Sequence, residues 1–408
     1  MQTNLSESAK ELPRADEAER ILRNCVHCGF CNATCPTYQV LGNELDGPRG
    51  RIYLIKQLLE GHDVTEKTQQ HLDRCLTCRN CETTCPSGVK YHTLLDIGRA
   101  EVERRVSRPL RERMLRAGLR HVIPKASVFG KLLRAGQLVR PLLPASMSEK
   151  VPANIVAPKP RPTAVHERRV LMLEGCVQPS LSPNTNAATA RVLDRLGISV
   201  VAAREAGCCG ANEYHLNAQE GGLARARRNI DAWWPAIEAG AEAIIQTASG
   251  CGAFVKEYGD LLSGDPHYSA KAARVSALAK DISEVLTREP LESLEISQSK
   301  RIAFHCPCTL QHAQKLGGVV ESILSRLGYQ LADVPDGHLC CGSAGTYSIT
   351  QPELASALRD RKMTCLESGN PDLIATANIG CQTHLSSVNR TAVRHWIEIV
   401  EDALEISN

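Results

Sequence analysis

Two cysteine runs near the amino end, Cys25-x-x-Cys28-x-x-Cys31-x-x-x-Cys35-Pro36 and Cys75-x-x-Cys78-x-x-Cys81-x-x-x-Cys85-Pro86, constrain this chain more than any other feature. Three thiolates within seven residues let one tight loop hold three corners of an iron–sulfur cube, with backbone amides turned toward its sulfides. The fourth corner needs a ligand from outside the loop. Structural zinc prefers two separated cysteine pairs in a tetrahedral site, which leaves a third cysteine without a place. The runs therefore predict two [4Fe-4S] clusters.

In two-cluster ferredoxins the fourth cysteine of each run crosses to the other cluster. That rule predicts Cys25, Cys28, Cys31 and Cys85 around one cluster, and Cys75, Cys78, Cys81 and Cys35 around the other. Between the runs, Pro48 to Gly61 reads as an amphipathic helix with Ile52, Leu54, Ile55, Leu58 and Leu59 inward and Arg51, Lys56 and Glu60 outward. This arrangement resembles the helical ferredoxin modules of succinate dehydrogenase and heterodisulfide reductase.

From Arg169 the sequence repeats itself. An apolar strand, Val170 to Leu173, leads into Cys176, a helix follows over about 184–196, and then comes Cys208-Cys209-Gly210; the strand Ala243 to Gln246 leads to Cys251. The second copy runs Ile302 to Phe304, Cys306-Pro307-Cys308, a helix over 311–327, Cys340-Cys341-Gly342, and Leu373 to Ala375 leading to Cys381. Cys176 to Cys308 and Cys208 to Cys340 are each 132 residues apart, and Cys251 to Cys381 is 130. Alternating strands and helices predict two pseudo-symmetric α/β domains with mainly parallel strands, and the cysteines fall past the carboxyl ends of strands, where open α/β sheets take ligands. The overall expectation is mixed α+β and α/β: a helical two-cluster ferredoxin domain at 1–105, a basic Pro/Arg-rich connecting segment at 106–168, and Cys-Cys-Gly domains at 169–295 and 296–408. Cys176, Cys208, Cys209 and Cys251, and likewise Cys308, Cys340, Cys341 and Cys381, are candidate ligands of a further cluster or metal.

These repeats resemble the cysteine-rich domains of the heterodisulfide reductase B protein, of the anaerobic glycerol-3-phosphate dehydrogenase C protein and of lactate-utilisation proteins. With Cys25-Val-His-Cys-Gly-Phe-Cys31, Leu45-Asp-Gly-Pro-Arg-Gly-Arg51 and Phe304-His-Cys-Pro-Cys-Thr-Leu-Gln-His312, the whole chain resembles the iron–sulfur subunits of bacterial glycolate oxidase. The resemblance implies an electron-transfer subunit in a hetero-oligomeric complex. Its partners would be FAD-containing subunits that oxidise glycolate to glyoxylate, and a quinone or other membrane carrier would accept the electrons. Electron transfer or reduction in a related lactate, glycerol-3-phosphate or heterodisulfide complex is the alternative. One departure stands out: heterodisulfide reductase closes each repeat with Cys-x-x-Cys, whereas this chain has Cys251-Gly-Ala-Phe254 and Cys381-Gln-Thr-His384. His384 and Cys306 are the residues at hand to substitute, and His305 and His384 otherwise read as hydrogen-bonded structural histidines.

The remaining sequence bounds the function. Oxidising a 2-hydroxy acid needs a hydride acceptor, yet Gly250-Cys-Gly252 lacks the glycines of a dinucleotide turn. No flavin or NAD site is expected on this chain, and no side chain is expected to act catalytically on substrate. Between Arg104 and Arg169 stand 16 Lys or Arg against Glu112, Glu149 and Glu167, while the whole chain carries +3. Leu115, Leu119, Val122, Phe129, Leu132, Leu133, Leu138, Val139, Leu142 and Leu143 interleave with those charges, as on helices that meet anionic lipid. No nucleic-acid motif is present. The polar start and the absence of any run of about 18 apolar residues predict a cytoplasmic protein, peripheral on the inner face of the membrane. Trp233-Trp234 reads as core or subunit contact rather than a cofactor box.

Overall fold

The computed structural model describes residues 1–142, 144, 148, 151–294, 300–388 and 390–406, and Leu143, Glu149 and the expected boundary at 295/296 lie outside them. The chain divides into two compact units, one of residues 1–117 with 338–362, the other of 118–337 with 363–408.

The first unit is helical. Helices Ala15–Asn24, Pro48–Leu59, Glu66–Asp73 and Tyr91–Arg105 enclose a core of Ile21, Leu22, Ile55, Leu58, Leu72, Leu94 and Leu95. Pro48 opens its helix at the position where a missing N–H costs nothing. Ile52, Ile55, Leu58 and Leu59 of that helix are buried as expected, but Leu54 is only half-buried, Lys56 and Glu60 are half-buried rather than outward, and Arg51, which matters below, is 1% exposed. Residues 338–362 belong to the same unit, where Tyr347 Oη donates to the Arg74 carbonyl (3.0 Å) and Asn80 Nδ2 to the His338 carbonyl (3.2 Å).

The second unit holds both repeats. Strands β1 (Arg168–Met172), β2 (Ile198–Val201), β3 (Ile244–Gln246) and β4 (Ala279–Asp281) form one sheet in the order β2-β1-β3-β4. Strands β5 (Arg301–His305), β6 (Gln330–Leu331), β7 (Leu373–Thr376) and β8 (Val393–His395) repeat it as β6-β5-β7-β8. Every pairing is parallel, with Leu171 opposite Ile244 and Phe304 opposite Ala375. Parallel strands are covered on both faces, and β1 illustrates it. Val170 and Met172 join a core that runs through both sheets, and Leu171 joins a second core around Trp233 and Tyr258.

The repeats grip each other. Ser182 Oγ donates to Glu398 (2.9 Å), Arg191 Nε to Glu401 (2.9 Å), and the buried His395 Nε2 to the Thr247 carbonyl (2.8 Å). One expected element differs. The helix foreseen over 311–327 is a π-helical turn, Thr309–Ala313, and a separate helix, Val319–Arg326, divided where Lys315 and Gly318 take left-handed backbone. Trp233 is fully buried, while Trp234 donates to Glu238 and sits under Lys271.

Candidate iron–sulfur sites

Each cysteine of the second run follows its counterpart by fifty residues, Cys25 to Cys75 and Cys35 to Cys85, and the backbone keeps that register. His27 and Gly29 in the first loop, and Thr77 and Arg79 in the second, all have positive φ. Alternating left-handed residues turn successive N–H groups inward, making a concavity for anionic sulfur; the Thr77 N–H already points at Cys75 Sγ (3.4 Å). Arg79 shows that a side chain tolerates this conformation. A Cβ at Gly29 would meet only the tip of the part-exposed Arg49 side chain, at 2.4 Å, which that side chain relieves by moving.

The loops bring the thiols together in two groups. Cys31 is surrounded by Cys25, Cys28 and Cys85, and burial, then these neighbours, push its thiol up to about 12. Cys81 is pushed well above the ordinary thiol range by burial and then by Cys78, Cys75 and Cys35. Cys25, Cys28, Cys31 and Cys85 line one cavity, which Cys81 also borders. Each group thus combines three cysteines of one run with the last of the other. Thiols so crowded ionise together only when a cation binds among them, and four converging sulfurs fit a cubane. The groups differ in access: Cys28 is exposed and flanked by Val26 (69% exposed) and Phe30 (61%), whereas Cys75, Cys78, Cys81 and Cys35 are all buried.

In the first repeat Cys176, Cys208, Cys209 and Cys251 follow β1, β2 and β3 and meet around the point where the strand order reverses. Cys176 and Cys209 both hydrogen-bond Cys208, and Cys209 also contacts Cys251. Hydrogen bonds from Cys176 and Cys209, then the Gly210 N–H and the charge of Arg225, hold the Cys208 thiol below the ordinary thiol range. Asn229 clamps the turn, accepting from the Gly207 N–H (2.9 Å) and donating to the Cys208 carbonyl (3.0 Å). Glycine after the cysteine pair is required in both copies. Gly210 (φ +99°) and Gly342 (φ +89°) are left-handed, and a Cβ would strike Gly222 O at 2.4 Å or Ala355 O at 2.6 Å.

The cysteines of the second repeat are shared between the units. Cys340 and Cys341 are buried in the first, where the Gly342 N–H reaches Cys340 Sγ (3.5 Å). In the second, Cys308 precedes the π-helical turn, Cys381 Sγ accepts from Asn378 Nδ2 (3.4 Å), and a ring nitrogen of the buried His305 lies within 4.8 Å of Cys381 Sγ. Cys306 belongs to the apolar core, which argues against it as a replacement ligand, and His384 is half-buried in the last turn of helix Ile379–Ser386.

Sequence reasoning did not find the polar shell of the second ferredoxin-type group. Arg51, Asp46, His71, Arg74 and Arg99 meet there, with Asp46 accepting from His71 (2.9 Å) and Arg74 (2.9 Å). The one available signal was an arginine on the apolar side of the helix after Gly47-Pro48.

Comparison with known proteins recognises the same regions of the chain. Residues 21–89 match the model of a 4Fe-4S dicluster domain, and residues 170–256 and 302–386 match that of a cysteine-rich domain. The chain is 71% identical over 405 residues to the glycolate oxidase iron–sulfur subunit of Escherichia coli (strain K12), spanning 99% of this chain and 100% of the relative. It is 32% identical over 402 residues to the probable glycolate oxidase iron–sulfur subunit of Bacillus subtilis (strain 168), covering 90% and 88% of the two. Lactate utilization protein A of Geobacillus kaustophilus is 27% identical over 218 residues, 52% of this chain and 88% of that one.

Proposed function

The chain belongs to the family of glycolate oxidase iron–sulfur subunits, and from that premise we propose that it takes electrons from an FAD-containing partner that oxidises glycolate to glyoxylate and passes them to a quinone or other membrane carrier. Cys25, Cys28, Cys31 and Cys85 hold one [4Fe-4S] cluster, and Cys75, Cys78, Cys81 and Cys35 the other. The observation that carries this assignment is the composition of the two thiol groups, each completed by the far run. Bound clusters supply one-electron steps. Oxidising glycolate releases two electrons and two protons, which the partner's flavin accepts and hands on singly.

Access supports a direction from the first cluster to the second. The exposed Cys28, with Val26 and Phe30 beside it, offers the approach for the flavoprotein. On the far side of the relay, Tyr347 lies close to both Cys75 and Cys340, so the second Cys-Cys-Gly pair is the exit. The four thiols that meet in the first repeat, Cys176, Cys208, Cys209 and Cys251, hold a further cluster or metal.

Among the described residues no helix is long and apolar enough to cross a membrane. The helices Leu110–Val122 and Ala126–Val139 carry exposed Leu110, Met114, Leu132, Leu138 and Val139 beside exposed Arg111, Arg113, Lys131 and Arg134, which supports peripheral attachment on the cytoplasmic face. Arg116 has no part in that surface, being 8% exposed and paired with Asp73 (3.0 Å), and Arg120 faces Glu213.

Iron and acid-labile sulfide counted per chain test the assignment: about eight iron atoms are expected from the two cubanes, and more if the repeats are loaded. Glycolate with the flavoprotein partner should produce the low-temperature paramagnetic signal of reduced clusters. Fewer than eight iron atoms in anaerobically reconstituted chain, or no signal, overturns the proposal. A reductase role for the repeats is the second reading, favoured by the contiguous thiols of Cys176, Cys208, Cys209 and Cys251. Disulfide reduction by the chain without its flavoprotein would select it.

A further inference from the structure

We propose that Arg51 and Arg99 hold up the reduction potential of the cluster bound by Cys75, Cys78, Cys81 and Cys35, making it the electron sink of the pair; this rests on the ligand assignment above. Both arginines are buried, at 1% and 8% exposed. Arg51 Nε donates to the His71 carbonyl (2.7 Å) and Nη2 to Thr37 Oγ1 (3.1 Å), and Thr37 Oγ1 itself touches Cys35 Sγ (3.3 Å). Arg99 Nη2 donates to the carbonyls of Leu72 (2.7 Å) and Cys75 (2.8 Å), and Nη1 reaches Thr77 Oγ1 (3.4 Å).

These hydrogen bonds go to neutral oxygens, so they satisfy the donors without cancelling the charge. Asp46 is the carboxylate beside Arg51, 3.7 Å away, and it is shared with Arg74 and His71. Glu82, near Cys81, is bonded to His92 (2.7 Å). Arg51 therefore shares Asp46 with two other groups, while the hydrogen bonds of Arg99 go to backbone carbonyls and a hydroxyl. A buried charge is costly unless an opposite charge answers it, and the thiolates of Cys75 and Cys35 answer Arg51. Adding one electron to a cube already wrapped in four thiolates increases its negative charge, so fixed cations nearby favour the reduced form. The step moves one electron from the first cluster to the second, with no bond or proton transferred. At the first cluster the corresponding arginine, Arg49, is half-exposed and tied to Glu44 (2.6 Å), so its charge is largely spent.

The test is a paramagnetic-resonance redox titration of the reconstituted chain, with Cys28→Ser and Cys78→Ser used to assign the two signals. Arg51→Gln and Arg99→Gln should each lower the midpoint of the second cluster at least tenfold in its equilibrium constant, about 59 mV for a one-electron couple, and leave the first unchanged. Arg51→Lys, which keeps the charge, should restore most of the difference. Unchanged midpoints in a glutamine variant that retains about eight iron atoms overturn the proposal, as does an Arg51→Lys shift as large as that of Arg51→Gln. Should Arg51→Gln lose its iron, Arg99→Gln decides by the same criterion. A wild-type iron count below about eight would sink the ligand assignment instead, so the two failures are distinct.

Discussion

Acidification should loosen the contact between the two repeats through one histidine. His395 ends β8 fully buried; its Nε2 donates to the Thr247 carbonyl and its Nδ1 accepts from the Ile397 N–H (3.3 Å), which fixes the neutral ring. Burial depresses its pKa from 6.5 to about 4. The folded state therefore binds this proton less readily than the unfolded state, and the stabilisation present above pH 6.5 is lost as pH falls toward 4. At about 1.4 kcal/mol per pH unit the loss approaches about 3 kcal/mol. Asp281, the matching last residue of β4, works the other way. Burial raises its carboxyl from 3.8 to about 6, so its contribution, also about 3 kcal/mol, is present below pH 3.8 and is lost as pH rises through 6. The two oppose each other between pH 4 and 6, and the wild type alone would hide both. His395→Gln keeps a donor for Thr247 but cannot be protonated, so relative to wild type it should gain stability steadily as pH drops from 6.5 to 4. Asp281→Asn should show the reverse difference. Urea unfolding followed by tryptophan fluorescence is suited to this, because Trp233, Trp234 and Trp396 all lie in the second unit. Parallel pH profiles for wild type and His395→Gln would refute the reasoning.

Cys85→Ser should abolish the same paramagnetic signal as Cys25→Ser and spare that of the Cys75 group, although Cys85 lies in the second run; loss of the other signal would mean that the fourth ligands do not cross. Asp73→Ala removes the carboxylate shared by Arg108 and Arg116, both under 10% exposed, while Glu103 (2.7 Å) still pairs with Arg108, and should cost about 2 kcal/mol in urea unfolding of the helical unit followed by circular dichroism. Replacing Arg111, Arg113, Lys131 and Arg134 by Gln should weaken binding to anionic vesicles by about 1 kcal/mol per charge, and unchanged co-sedimentation would remove that surface from membrane attachment.

The features legible in the sequence were those that chemistry ties to spacing. Cysteine runs, the 132-residue repeat and the apolar strand Val170 to Leu173 each state a local geometry that tertiary context does not override. Side chains whose environment is set by distant chain were not legible. Arg51 sits on a helix where arginine ordinarily reaches solvent, and its burial depends on a carbonyl at His71 and a hydroxyl at Thr37 that no periodicity announces. Arg116, one of the 16 basic residues between Arg104 and Arg169, is buried for the same reason, since its partner Asp73 lies 43 residues away. The helix over 311–327 was misjudged because Gly317-Gly318 was read through rather than as a stop.

The duplication also explains why the two Cys-Cys-Gly copies need not do the same work. Both keep the glycine that the turn demands, so their backbone constraint is shared. Their surroundings are not. Asn229 and Tyr258 of its own repeat hold the first pair through the carbonyls of Cys208 and Cys209. The second pair belongs instead to the compact unit of the ferredoxin-type runs, where Tyr347 and the His338 carbonyl bond to residues flanking Cys75 and Cys81. The central loop of the second repeat thus packs in the first compact unit, while the first repeat keeps its four thiols within its own fold. Divergence between the copies therefore follows from which unit each loop packs in.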